Sequence, residues 1–316
     1  MIKNNLGGVW RTVGGRRIFI KDGQDLATAM KESGKFIRSP INGKSEKVKE
    51  KIEKKVDTNL DDIKEKLTKK GIIFEKDFPK VANKEYISKQ LNALNNILDN
   101  DKILARTIKQ YPLTIKEDLF TLNDAYYSHM PDGFEGHTLN FGAFKSKKSI
   151  NEITSSINTY RKKGQWVNKE MSNISNEEYV VYHEIGHLKE KIMVENYYKE
   201  NPNFKEKYLE KMEKAKTQND YDIYSHNMYK DAIYHIEQDT LLQIQYKNGT
   251  IKASDGRNGT SAYGKYGLKE ISSYGDSNVS YELISEGNVI YSNPTKKGQQ
   301  SYIYKDLSDL FERWYK

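Results

Sequence analysis

The chain has 316 residues, 30% of them charged, a formal net charge of +8 and no cysteine. That composition excludes a disulfide scaffold, a thiolate nucleophile and cysteine-ligated zinc, so a metal site here must use His, Asp and Glu. No run approaches the roughly 18 apolar residues of a membrane span, and lysines interspersed with glutamates argue for solvated faces rather than a specific nucleic-acid surface.

The first five residues lead into no apolar h-region, so no secretory signal is expected. The chain is then expected to be cytoplasmic as synthesised, with association with a virion or export by a non-classical route left open. Residues 1–38 form a basic, glycine-rich segment. Gly7-Gly8 and Gly14-Gly15 bracket short β-prone runs, which predicts a small hairpin or extended segment, with Asp22-Gly23 as a following turn. This segment resembles one found near the ends of phage minor head (head-morphogenesis) proteins and toxins linked to them. The resemblance implies a phage or mobile-element origin and no particular chemistry; the plainer reading is a disordered basic leader.

Val48, Ile52, Val56, Leu60, Ile63 and Leu67 recur at steps of three and four, which predicts an amphipathic helix over 44–70. Ile87, Leu91, Leu94, Leu98 and Leu104 repeat the pattern over 83–110, and Pro112 stops it. Residues 39–125 therefore read as a helical subdomain whose leucines are core.

In 131–166, Pro131-Asp132-Gly133 predicts a turn and His137-Thr138-Leu139-Asn140-Phe141 alternates as a strand does. This region is the candidate sheet edge beside which an extended substrate would lie. His129 and His137 read as turn or surface residues rather than ligands.

Next comes H-E-x-x-H: His183, Glu184 and His187. On a helix, positions i and i+4 lie roughly 40° apart, so both imidazoles can reach one ion while the glutamate faces water bound to it. Ser175 and Glu178 form an S-x-x-E capping box ahead of an apolar run through Tyr179, Val180, Tyr182, Ile185, Leu188 and Ile192, which predicts an amphipathic helix. Gly186 between the histidines weakens that helix by about 1 kcal/mol relative to Ala and predicts close approach by another segment or by substrate. The alternative is a surface helix that carries two histidines by accident.

Residues 203–247 read as helical again, and 248–279 as Gly/Ser/Asn-rich loops or hairpins. A short helix is predicted from Tyr281. An amphipathic helix through Leu307, Leu310, Phe311 and Trp314 closes the chain over 305–315.

A catalytic zinc takes three protein ligands and keeps one position open. A metzincin completion fails because position 190 is Glu and 193 is Met, and a thermolysin-type N-E-x-x-S-D is missing. Glu282 and Glu286 are four apart on one helical face, so one can bind the metal while the other orients a ligating histidine. Tyr274, on a glycine-containing loop, can offer its hydroxyl to a developing oxyanion. His226, His235 and Glu237 are competing ligands, although 235 and 237 do not share a helical face.

H-E-I-G-H together with S-Y-G-x-x-N-x-x-x-E-L-x-x-E resembles the catalytic domain of anthrax lethal factor and its relatives, the ATLF-like metallopeptidases, a group that includes bacterial proline–proline endopeptidases. The resemblance extends over about residues 130–316 and is specific at the motifs. It implies that His183, His187 and Glu282 bind Zn2+, that Glu184 is the general base, that Glu286 supports a ligand and that Tyr274 assists catalysis. Here the Tyr-to-Glu interval is one residue longer, Gly287 follows the second glutamate, and the long separation of His187 from Glu282 implies a helical insertion around 203–250.

The expected fold class is α+β, mainly helical: a zincin-like metallopeptidase domain over 126–316, its active-site helix beside a small mixed sheet, preceded by the helical subdomain. The expected function is zinc-dependent endopeptidase cleavage of a protein or peptide substrate, phage- or mobile-element-encoded. A phage particle or an immunity or inhibitor protein is the further partner considered. The alternatives are a phage head-associated structural protein with a non-catalytic metal site, and a toxin effector protease acting on a host protein.

Overall fold

The structure, a computed structural model, describes residues 8–13, 16–21, 59–119, 125–130, 133–142, 148–247, 271–272 and 282–316, with side chains from 59 onward except at 239 and 241–247. The chain divides into two compact units, Met1–Thr58 and Asn59–Lys316.

In the first unit, β1 (Gly8–Val13) pairs antiparallel with β2 (Arg16–Lys21), from Gly8 opposite Lys21 to Val13 opposite Arg16. This is the hairpin that the two glycine pairs predict. The leader reading, the turn at Asp22-Gly23 and the first part of the 44–70 helix lie outside the described residues.

The second unit is mainly helical with a four-stranded mixed sheet in the order β3-β4-β6-β5. Helix α1 covers 59–68, and β3 (Ile72–Phe74) follows it directly. The predicted helical run over 83–110 is two helices, α2 (Lys84–Asn100) and α3 (Lys102–Gln110). The break is local chemistry: extended Asp101 caps the end of α2 through its N–H and starts α3 by accepting from Leu104 N–H. β4 (Leu113–Asp118) runs parallel to β3 and to β6 (Thr138–Gly142), while β5 (Ala125–Ser128) pairs antiparallel with β6.

Two expectations are corrected here. The range 39–125 is not a separate helical body in its described part, because β3 and β4 fall inside it and complete the sheet. β3 has three residues, too few to show a period of two. The strand at His137–Phe141 is not the sheet edge either. Every residue of β6 is buried, with β4 and β5 on its two sides, and the edges among the described strands are β3 and β5.

Helix α4 (Ile150–Lys162) opens with a Ser149–Glu152 capping box. Helix α5 (Tyr179–Glu200) is the centre of the unit, packed against α2, β5, α7 and α8. It is buried nearly all round, not along one stripe, which is the pattern of a core helix rather than the amphipathic one predicted. Helices α6 (Pro202–Glu213) and α7 (Gln218–Lys247) fold back over it, matching the helical reading of 203–247. Helices α8 (Glu282–Ser292), α9 (Lys296–Gln299) and α10 (Tyr302–Trp314) close the chain. No described helix is long and apolar enough to cross a membrane.

Candidate metal centre

The S-x-x-E box forms its two bonds, Glu178 N–H to Ser175 Oγ and Ser175 N–H to Glu178 Oε2, both at 3.3 Å, but it closes the turn ahead of α5, whose own N-cap is Glu178 without a side-chain capping bond. It fixes the turn that launches α5 and places His183 a little over one turn inside the helix. His183 and His187 then point from one face, their rings edge-on at 5.1 Å. Facing them is the first residue of α8. Glu282 Oε2 lies 3.2 Å from His183 Nε2 and 3.6 Å from His187 Nε2.

Among the described residues, His183, His187 and Glu282 form the one group able to hold a metal ion, with ligand atoms all within 4.8 Å of one another. Donors about 2.0–2.1 Å from a tetrahedral ion stand roughly 3.3 Å apart, so the observed separations fit such an ion. The mix of imidazole and carboxylate suits a borderline divalent cation.

The surroundings hold His183 and Glu282 in place. Glu286, one turn along α8 from Glu282, accepts a hydrogen bond from His183 Nδ1 at 2.8 Å and from the Tyr179 hydroxyl at 2.9 Å. That bond fixes the tautomer which presents Nε2 to the centre. Tyr179 in turn accepts from Val167 N–H at 2.9 Å, stacks on Trp166 and lies under the buried Arg161 guanidinium. Ser285 Oγ donates to Glu282 Oε2 at 2.7 Å.

Gly186 allows the two helices to meet. A Cβ there would stand 2.5 Å from Ser285 Cα, so the close approach its presence predicts is that of α8.

Glu184, beside these side chains, faces the sheet. Its Oε2 accepts the Tyr127 backbone N–H of edge strand β5 at 2.8 Å, so the carboxylate sits between the helix and the sheet edge. Burial raises its pKa, against the opposing pull of His183 and His187. Glu282 behaves oppositely. Burial pushes it up, but hydrogen bonding and charge from the histidines outweigh burial and bring it down to about 2. Burial likewise opposes the cationic form of His183, and Glu282 and Glu286 overcome it, raising its pKa well above the usual value.

Of the residues singled out from sequence, His183, His187, Glu282, Glu286 and Glu184 come together, whereas Tyr274 lies outside the described residues. His226 and His235 are exposed on α7 and belong to no metal-binding group among the described residues. Glu237 is buried and its pKa is raised well above the carboxylate range by burial and by nearby Glu190 and Glu282. His137 is not a surface residue. It is fully buried, bridging the Tyr127 hydroxyl and the Tyr111 carbonyl.

Sequence reasoning missed Tyr179, Glu190 and Tyr229. Tyr179 is four residues before His183 and Glu190 three after His187, helical spacings that place each beside its histidine. Nothing in the sequence marks Tyr229 out from the chain's 23 tyrosines.

A scan against protein-family models finds no match to the chain, and searches of curated proteins and of solved structures find none either.

Proposed function

We propose that the chain is a zinc-dependent endopeptidase of zincin-like fold, related to the lethal-factor-like metallopeptidases whose motifs it resembles. The observation that carries this reading is the convergence of His183 Nε2, His187 Nε2 and Glu282 Oε2, with the Glu184 carboxylate held beside a sheet edge. A bound zinc ion would supply a Lewis acid for the scissile carbonyl and lower the pKa of water at its open position towards about 7.

Glu184 is the base. Its buried, upward-shifted carboxyl takes the proton of the attacking water and returns it to the leaving amine. Tyr274 is assigned a hydrogen bond to the oxyanion. An extended peptide would lie along β5, which pairs with β6 on one side and with no other described strand. The motifs at 1–38 favour a phage or mobile-element setting, with a protein or peptide as substrate and a phage particle or inhibitor protein as a further partner.

The deciding experiment is cleavage profiling of the purified chain on an unbiased peptide library, with and without chelator, alongside metal analysis. Stoichiometric zinc with chelator-sensitive cleavage is the expected result. Zinc without any cleavage would replace the protease with a metal-stabilised structural protein.

A further inference from the structure

The two ligating histidines are not supported in the same way, and the difference assigns a role to α7. His183 is oriented by Glu286, itself held by Tyr179. On the other side, Glu190 Oε2 lies 3.9 Å from His187 Nδ1, and Glu190 Oε1 accepts the Tyr229 hydroxyl of α7 at 3.0 Å. The parts are alike: a histidine, a carboxylate facing its Nδ1 and a tyrosine hydroxyl on that carboxylate.

We propose that Tyr229 and Glu190 are positioning residues for His187, so that α7 is a working part of the metal centre and not merely an inserted cover. The inference rests on the metal-centre reading and deepens it.

Glu190 is 3% exposed, and its Oε2 is buried without a hydrogen-bond partner among the described residues. An ionisable group buried this deeply is costly unless something engages it. His187 Nδ1 is that group. A neutral imidazole that gives Nε2 to a metal carries its proton on Nδ1, so ligation turns the atom facing Glu190 into a donor. Shortening 3.9 Å to a hydrogen bond of about 2.8 Å then needs a ring displacement of about 1 Å.

Tyr229 is fixed for its part. It is 7% exposed, its ring packs against His129 at 4.7 Å, and Lys191 Nζ stands 5.3 Å from its centre. Burial and the adjacent Glu190 keep its hydroxyl protonated, so it donates.

Four proteins test the relay: wild type, Tyr229→Phe, Glu190→Gln, and Tyr234→Phe as a control elsewhere on α7. The readouts are Zn2+ affinity by chelator competition, the visible absorption of the Co2+-loaded protein and the melting temperature without metal. Tyr229→Phe should weaken zinc binding about tenfold and Glu190→Gln about 10–100-fold, with altered Co2+ spectra. Tyr234→Phe should match wild type. Wild-type affinity and spectra in both Tyr229→Phe and Glu190→Gln would overturn the relay alone. A wild-type chain that binds no zinc would overturn the metal centre, and the relay with it. Should Glu190→Gln fail to fold, Tyr229→Phe decides, since it removes a single oxygen and leaves the ring in place.

Discussion

At the scale of single residues, Gly186 and Gly287 look alike in sequence and differ in consequence. A Cβ on Gly186 would meet the Ser285 backbone, at 2.5 Å from Cα and 2.9 Å from the carbonyl oxygen. Backbone cannot rotate away, so alanine there must push α8 off α5. A Cβ on Gly287 would meet the Leu307 Cδ2 methyl at 2.6 Å, the tip of a side chain that can change rotamer. Gly186→Ala should therefore destabilise by about 1–3 kcal/mol and also weaken zinc binding, because Glu282 and Glu286 move with α8. Gly287→Ala should cost less and leave the metal affinity close to wild type. Urea unfolding and chelator competition on the two proteins check this, and equal zinc affinities would refute the positional argument. The same helix carries a second prediction. Glu184→Gln keeps its volume and leaves all three proposed ligands intact, so zinc should stay bound while cleavage falls by about 10²–10⁴-fold. That His183 and His187 share one face was legible in sequence because i and i+4 geometry follows from helix pitch alone. That Gly186 faces another segment and not substrate required the packing of α8.

At the scale of elements, one carboxylate joins three helices. Asp101 caps α3 through Leu104 N–H at 3.0 Å, pairs with Lys189 of α5 at 3.0 Å and accepts the hydroxyl of Tyr315, just past α10, at 2.7 Å. Lys189 is 4% exposed, so removing its partner strands a buried ammonium. Asp101→Ala should cost about 3–5 kcal/mol, measured by denaturant unfolding; a loss below about 1 kcal/mol would mean the pair is solvated. The pH dependence has a definite sign. Burial pushes the Asp101 carboxyl up, but Lys189, the Leu104 N–H and Tyr315 outweigh it, so its folded pKa is below the ordinary value. A depressed carboxyl contributes stability above its unfolded pKa and loses it as pH falls through the folded one. The acid limb of the stability curve should therefore be shallower in Asp101→Asn than in wild type below about pH 4. Burial lowers the pKa of Lys189 itself, against the opposing pull of Asp101. Helices of this kind were legible because leucines repeat every three or four residues. The break at Asp101 was not, since a residue that ends one helix and starts the next interrupts the periodicity by one position only. Strand β5, Ala-Tyr-Tyr-Ser, has no alternation to read, which is why the edge was assigned to its buried neighbour.

At the scale of the whole molecule, the sequence pattern conveys a mainly helical chain with a small sheet and one catalytic-looking helix, and it misplaces how they join. The long helices carry their own signal, but β3 acquires meaning only from pairing with β4, and β4 from pairing with β6, which are non-local facts. The site has the same character. Two of its proposed ligands are on α5 and the third is on α8, which is distant in sequence and packs along α5 through Gly186. An ion bound there would link two helices that unfolding separates, and it would bind the folded state alone. Linkage then sets the size of the effect: free zinc at about 100 times Kd stabilises by about 2.7 kcal/mol, or about 5–10 °C in a unit of this size. Melting the wild-type chain in zinc and in chelator should show that shift. Glu282→Ala should melt near the chelated wild type and respond to zinc far less, because one of the three donors is gone while both histidines remain. A zinc-dependent shift undiminished in Glu282→Ala would place the stabilising metal elsewhere in the chain, and the α5–α8 pairing would then need another reason for its buried carboxylates.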